Sequence, residues 1–156
     1  MISRFLGPTT AETTTLEIIG LVTGQFPKRR FSPYSDFAQQ VKNTDMARLV
    51  RGIDTALRRE GRLLQPDIRS FLIDSRAALE PLARSNSEVL IDHGMPGPFR
   101  TPVFGPNPDW VSRVKTTQAD LQSTAAKLFQ DHFADDHASL AGPADRKLAQ
   151  RIAAAP

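Results

Sequence analysis

Between Asp45 and Gly61 the residues Met46, Leu49, Val50, Ile53 and Leu57 recur at intervals of three and four, with Leu64 continuing the stripe. That spacing puts them on one face of a helix. It returns in Ile68, Phe71, Leu72, Leu79 and Leu82 over 66–84, and in Trp110, Val114, Leu121, Ala125, Leu128 and Phe129 over 108–134. No segment alternates apolar and polar residues as a half-buried strand does. The chain is therefore expected to be all-α, a helical bundle of about five to seven helices. At 156 residues it reads as one helical domain, 1–156. A domain of that size buries roughly 70% of its unfolded surface and needs no metal or disulfide to fold.

Proline, glycine and capping residues divide the pattern. Thr9 to Gly24 predicts a first helix, with Thr9 and Glu12 at capping-box spacing. Leu16, Ile18, Ile19, Leu21 and Val22 cover most of its circumference, so it is buried or sits in an interface. Pro27 and Pro33 mark a loop. Ser32 and Pro33 open a helix from about Tyr34 to Asn43, after which Thr44-Asp45 either re-cap a new helix or lie within a continuous one. Gln65-Pro66-Asp67 opens another, which Pro81 should kink or end near Glu80. "SNSEVLIDHG" reads as a short amphipathic piece. Residues 94–108 hold five prolines and three glycines and predict an irregular, partly extended connection, packed on the domain by Phe99, Val103 and Phe104. Pro143 opens a last helix to about Ala154.

Two phrases nearly repeat. "FSPYSDFAQQVKNT" begins at Phe31 and "FGPNPDWVSRVKTT" begins 73 residues later, at Phe104. They share Phe, Pro, Asp, Val, Lys and Thr in register, and Phe37 answers Trp110. Each is followed by a helix, a Leu-x-x-Pro turn and an arginine three residues on, Arg69 and Arg146. One reading is a duplication, with halves 31–93 and 104–156 forming two pseudo-repeated hairpins about an approximate twofold axis. The other is convergence, because proline, aspartate and an aromatic residue together make good helix-start chemistry.

Charge gives the clearest surface. Residues 28–62 hold nine Lys or Arg against four Asp or Glu, whereas the chain after Ser85 holds seven against eight. At about 100° per residue, Arg48, Arg51, Thr55, Arg58, Arg59 and Arg62 fall within about a third of the helix circumference, opposite the apolar stripe. Lys28, Arg29 and Arg30 join them if their loop folds back. Such a face suits an anion or a partner surface, and nucleic acid through its phosphates. The plainer reading is a solvated face. A second candidate is the proline segment, with Phe99, Arg100, Val103 and Phe104 as a partner-binding loop.

Other chemistry is weakly signalled. The chain has no cysteine, which removes disulfides, thiolate zinc sites and cysteine nucleophiles together. "DHFADDH" at 131–137 has one-turn spacings between Asp131 and Asp135 and between His132 and Asp136, but lacks the strength of a metalloprotease motif. Asp92 and His93 have no nucleophile elbow to serve. No cofactor motif and no metal site is expected. The longest apolar stretch is too short to span a bilayer. Pro8, Glu12 and Glu17 interrupt any signal-peptide core, so the cytoplasm is the expected compartment, with signal-independent export left open. The expected function is a soluble, non-enzymatic interaction or assembly protein that binds other proteins or its own copies. The alternative is a nucleic-acid binder using the arginine face. A metal-dependent enzyme is the remote third.

Overall fold

The most apolar helix of the chain, α1 (Thr10–Val22), lies among the others. Leu16, Ile18 and Ile19 are fully buried, and Leu21 and Val22 nearly so. Each such side chain contributes about 2 kcal/mol by leaving water. The neighbours are α3 (Asn43–Glu60), α4 (Pro66–Ala83), α5 (Pro108–His132) and α6 (Pro143–Ala154). The interface that an all-round apolar helix requires is thus supplied within the chain. The remaining elements are the single turn α2 (Phe37–Gln40) and the strands β1 (Glu88–Asp92) and β2 (Val103–Pro106). This computed structural model describes residues 10–25, 34–92, 102–135, 140 and 143–155. Among them, six helices and one two-stranded sheet make up the expected all-α bundle.

Polar ties fix α1 to its surroundings. The Ala11 N–H donates to Glu60 Oε2 at 2.7 Å, so the end of α3 caps the start of α1. Gln118 Nε2 of α5 donates to the Leu21 carbonyl at 2.9 Å. Thr13 Oγ1 donates to the buried Asp145 of α6 at 2.9 Å. Arg48 of α3 pairs with Glu17 at 2.7 Å. Gly24, at φ 76, ends the helix. The Gln25 N–H reaches the Gly20 carbonyl and the Gly24 N–H reaches that of Leu21, closing a Schellman motif. Thr9 lies outside the described residues.

The stripes predicted for α3, α4 and α5 are buried as expected, with Leu57, Leu64 and Ile68 partly so. Pro81 does not end α4 near Glu80, and the helix continues to Ala83. The proline stands in the last turn, where it removes only one helical bond, and the buried Leu82 beyond it holds the turn to the core. Trp110, the largest buried side chain, donates from Nε1 to the Leu82 carbonyl at 2.9 Å. That bond joins α5 to the end of α4.

The two similar phrases start different structures. Asp36 caps α2 by accepting from the Ala38 N–H, and the helix stops after one turn. Val41 and Lys42 are extended, and α3 begins afresh with Asp45 accepting from the Lys42 N–H at 2.9 Å. The helix expected from Tyr34 to Asn43 is therefore broken. In the second phrase Asn107 is the cap and a 25-residue helix follows. Trp110 is buried, while its counterpart Phe37 is only partly so. The phrases meet in space, where Lys115 pairs with Asp36 at 2.9 Å and holds that carboxyl below its ordinary value. α3 and α4 form the expected hairpin. Instead of returning along α5 as the second hairpin would, α6 packs on α1.

The short piece after α4 is not helical. Residues 88–92 form β1, antiparallel to β2, which lies in the segment expected to be irregular. Of the residues expected to pack on the domain, Val103 and Phe104 are 44% and 58% exposed, and Phe99 lies outside the described residues.

Candidate functional site

The arginines of α3 divide into one that is structural and several that are open. Arg48 is committed to Glu17. Arg51, Arg58 and Arg59 are exposed on the side of α3 away from the core, and among the described residues no carboxylate pairs with them. Arg62 lies past the helix end at Glu60, in the turn towards α4, and is also exposed, with no carboxylate partner among the described residues. The two acids of this helix that would offset them are turned elsewhere. Asp54 is held by Arg76 of α4 at 2.5 Å, and Glu60 caps α1. Thr55 donates its hydroxyl back to the Arg51 carbonyl. Sequence reasoning missed Arg69, which lines a shallow hollow with Arg62 and Ser70 and extends the cationic surface onto α4. A helix-by-helix reading has no means of joining it to Arg62. Lys28, Arg29 and Arg30 lie outside the described residues.

The ribbon of β1 and β2 is the second surface. Leu90 stands opposite Phe104 and Val89 opposite Gly105, with an irregularity at Ile91 before Asp92 meets Val103. Opposed residues share a face. A Cβ on Gly105 would lie 2.9 Å from Ile91 Cδ1 and 3.3 Å from the Tyr34 hydroxyl, so this face of the ribbon is closely approached by its neighbours. The other face carries Leu90 and Phe104, 40% and 58% exposed, and Ile91 is 58% exposed. The base is well held. The Asn107 N–H donates to the Ser87 carbonyl at 2.9 Å, Asn107 Nδ2 donates to that of Asn86, and Ser87 Oγ donates to Asn43 Oδ1 at 2.8 Å. Lys42 pairs with Glu88 at 2.7 Å.

The two edges of the ribbon differ. β2 is preceded by Pro102 and ends at Pro106, neither of which has an N–H to donate. β1, Glu-Val-Leu-Ile-Asp, contains no proline, and among the described residues no further strand pairs with it. Of the predicted partner loop, Val103 and Phe104 belong to this surface, and Phe99 and Arg100 lie outside the described residues.

His132 is drawn to neither Asp131 nor Asp135. Its Nε2 is 2.8 Å from Asp67 Oδ2, across from the end of α5 to the first turn of α4. This contact holds the Asp67 carboxyl below its ordinary value. Asp131 pairs with Lys127 instead, at 3.1 Å. Among the described residues no three His, Asp or Glu side chains gather to hold a metal. His93, Asp136 and His137 lie outside them. Nor, among the described residues, is any helix long and apolar enough to cross a membrane.

The fold and these surfaces define the class as a helical bundle with an exposed apolar ribbon and a cationic helix face. Compared with protein-family models, curated proteins and solved structures, the chain gives no match in any of the three.

Proposed function

We propose that the chain is a non-enzymatic interaction protein whose partner protein adds an extended segment to the edge of β1 that faces away from β2. The observation that carries this reading is the exposed cross-strand pair Leu90 and Phe104 beside a strand edge that no proline blunts. An isolated two-stranded ribbon is marginal in water and gains from a third strand. Main-chain bonds along the edge supply affinity, and alternate side chains supply selectivity.

Charge selects the occupant. Glu88 and Asp92 bracket the apolar centre of β1, and Glu88 stays 40% exposed although Lys42 holds it. A second copy paired antiparallel about Leu90 sets Glu88 opposite Asp92 of the other copy, and like charges in opposition destabilise a ladder. The favoured segment is apolar at its centre and basic at both ends.

Selection from a displayed random peptide library tests this, with counter-selection on a Leu90→Ser/Phe104→Ser variant. Surface changes of this kind leave stability within about 0.5 kcal/mol. Enriched peptides should alternate apolar residues between basic ends and bind the variant at least about tenfold more weakly. Peptides that bind both forms equally, or no enrichment, sink the reading. A micromolar dimer abolished by the same two changes would install a second copy as the occupant instead.

A second reading is favoured by a separate observation, the diversion of Asp54 and Glu60 away from the arginines of α3. It makes Arg51, Arg58, Arg59 and Arg62 a phosphate-contacting face for nucleic acid.

A further inference from the structure

The turn between α3 and α4 carries the most exposed large apolar side chain among the described residues, Leu63 at 86%. Its backbone is tied down, since the Leu63 N–H donates to the Glu60 carbonyl at 2.8 Å. Arg62 precedes it, Arg58 and Arg59 stand in the last turn of α3, and Arg69 stands in the first turn of α4. All four arginines are exposed, and none has a carboxylate partner among the described residues. Arg62 and Arg69 share their hollow with Leu64, Pro66 and Ile73, and Ile73 is itself 49% exposed.

The acids of this end do little to offset them. Glu60 is turned to the Ala11 N–H, and Asp67 to His132. Asp74 is exposed, but it stands about 140° around α4 from Arg69. An apolar tip thus projects from the turn with four cations about it. Nucleic acid would engage the guanidiniums and gain nothing from Leu63. A lipid surface of negative charge meets both, because its headgroups take the guanidiniums while its acyl boundary takes the leucine. The ribbon is the rival apolar surface, but Glu88 and Asp92 stand within it and would be repelled.

We propose that the α3–α4 turn docks on an anionic lipid surface, with Leu63 entering the acyl boundary and Arg58, Arg59, Arg62 and Arg69 on the headgroups. The long arginine stems lie along the apolar boundary while their charged ends stay among the phosphates. The contact is peripheral and reversible, since a leucine is smaller than a single acyl chain, which by itself binds only marginally. It is independent of the β1 edge. It shares three arginines with the nucleic-acid reading, and Leu63 separates the two.

The test is co-sedimentation of the full chain with vesicles of seven parts phosphatidylcholine to three of phosphatidylserine, beside vesicles of phosphatidylcholine alone. Binding is expected to the first and not to the second. Each arginine near such a surface contributes about fivefold, so Arg62→Gln/Arg69→Gln should weaken binding about 25-fold. Leu63→Ser should weaken it about tenfold or more. Leu90→Ser/Phe104→Ser should leave it unchanged. In a Leu63→Trp variant, emission should move to shorter wavelength on the anionic vesicles, against a constant background from the buried Trp110. No binding to the anionic vesicles, equal binding to the neutral ones, or an unshifted emission each overturns the proposal. Binding that needs the arginines but ignores Leu63→Ser also overturns it, and leaves a general polyanion surface of the kind the nucleic-acid reading uses. Loss with Leu90→Ser/Phe104→Ser alone would overturn it in favour of the ribbon.

Discussion

His132 and Asp67 stand 65 residues apart in sequence and 2.8 Å apart in the fold. The histidine holds the carboxylate in its charged form, first by the hydrogen bond and then by the charge it carries when protonated. A depressed carboxyl pKa contributes stability above the unfolded value and loses it as the pH falls through the folded one. Here the loss falls below about pH 4, since the ordinary value is 3.8. Asp67 is 47% exposed, so solvent screening keeps the contribution under about 1 kcal/mol. In a His132→Phe variant the Asp67 pKa should return towards its ordinary value, as followed by carboxyl NMR between pH 2 and 6. An unchanged titration would mean that the pairing is not maintained in solution. Nothing in the sequence announced this pair. "DHFADDH" sets His132 at one-turn spacing from Asp136, which lies outside the described residues, and only the packing of α5 on α4 brings Asp67 to the ring.

Among the elements, helices were legible and strands were not. The inward faces of α3, α4 and α5 follow from a period fixed by the backbone itself, so Met46, Phe71 and Trp110 were placed correctly from spacing alone. The ribbon depends on pairing between Leu90 and Phe104 across a long connection, and its three consecutive apolar residues do not alternate. Of the two outcomes expected at Pro81, an end near Glu80 is not what forms, because a proline in the last turn leaves few helical bonds beyond it to lose. Gly52 shows what periodicity leaves out. It sits within α3 where glycine costs about 1 kcal/mol relative to alanine. A Cβ there would meet Thr14 Oγ1 of α1 at 2.9 Å, and a β-branched side chain buried at 5% exposure has few ways to yield. Gly52→Ala should therefore destabilise despite its better propensity, by roughly 1 kcal/mol in urea unfolding. Adding Thr14→Ala should recover part of that loss, a coupling of 0.5 kcal/mol or more in a double-mutant cycle, on the order found for residues in contact. Additive effects would show that α1 and α3 do not approach closely at this point.

Across the whole molecule the charge asymmetry was readable from composition, but its consequence needed the fold. The sequence groups Arg48 with Arg51, Arg58, Arg59 and Arg62 on one face. The fold withdraws Arg48 to Glu17 and engages Asp54 and Glu60 of the same helix with α4 and α1, so a smaller set of arginines is left with less opposition. Arg69, from α4, widens that set. If these side chains contact phosphates, each contact releases about one counterion, and three contacts give a slope of about −3 for log affinity against log salt. A fourfold rise in salt should then weaken binding to a labelled random duplex or RNA roughly 60-fold, by fluorescence anisotropy. Reversal of Arg51, Arg58 and Arg62 to Glu should abolish it, and Leu90→Ser/Phe104→Ser should leave it unchanged. The two variants separate the readings, because the ribbon and the arginine face share no residue. Binding that survives charge reversal or ignores salt would reduce the arginines to a solvated face and leave the β1 edge as the working surface. Salt-sensitive binding lost with the arginines alone would reverse that order.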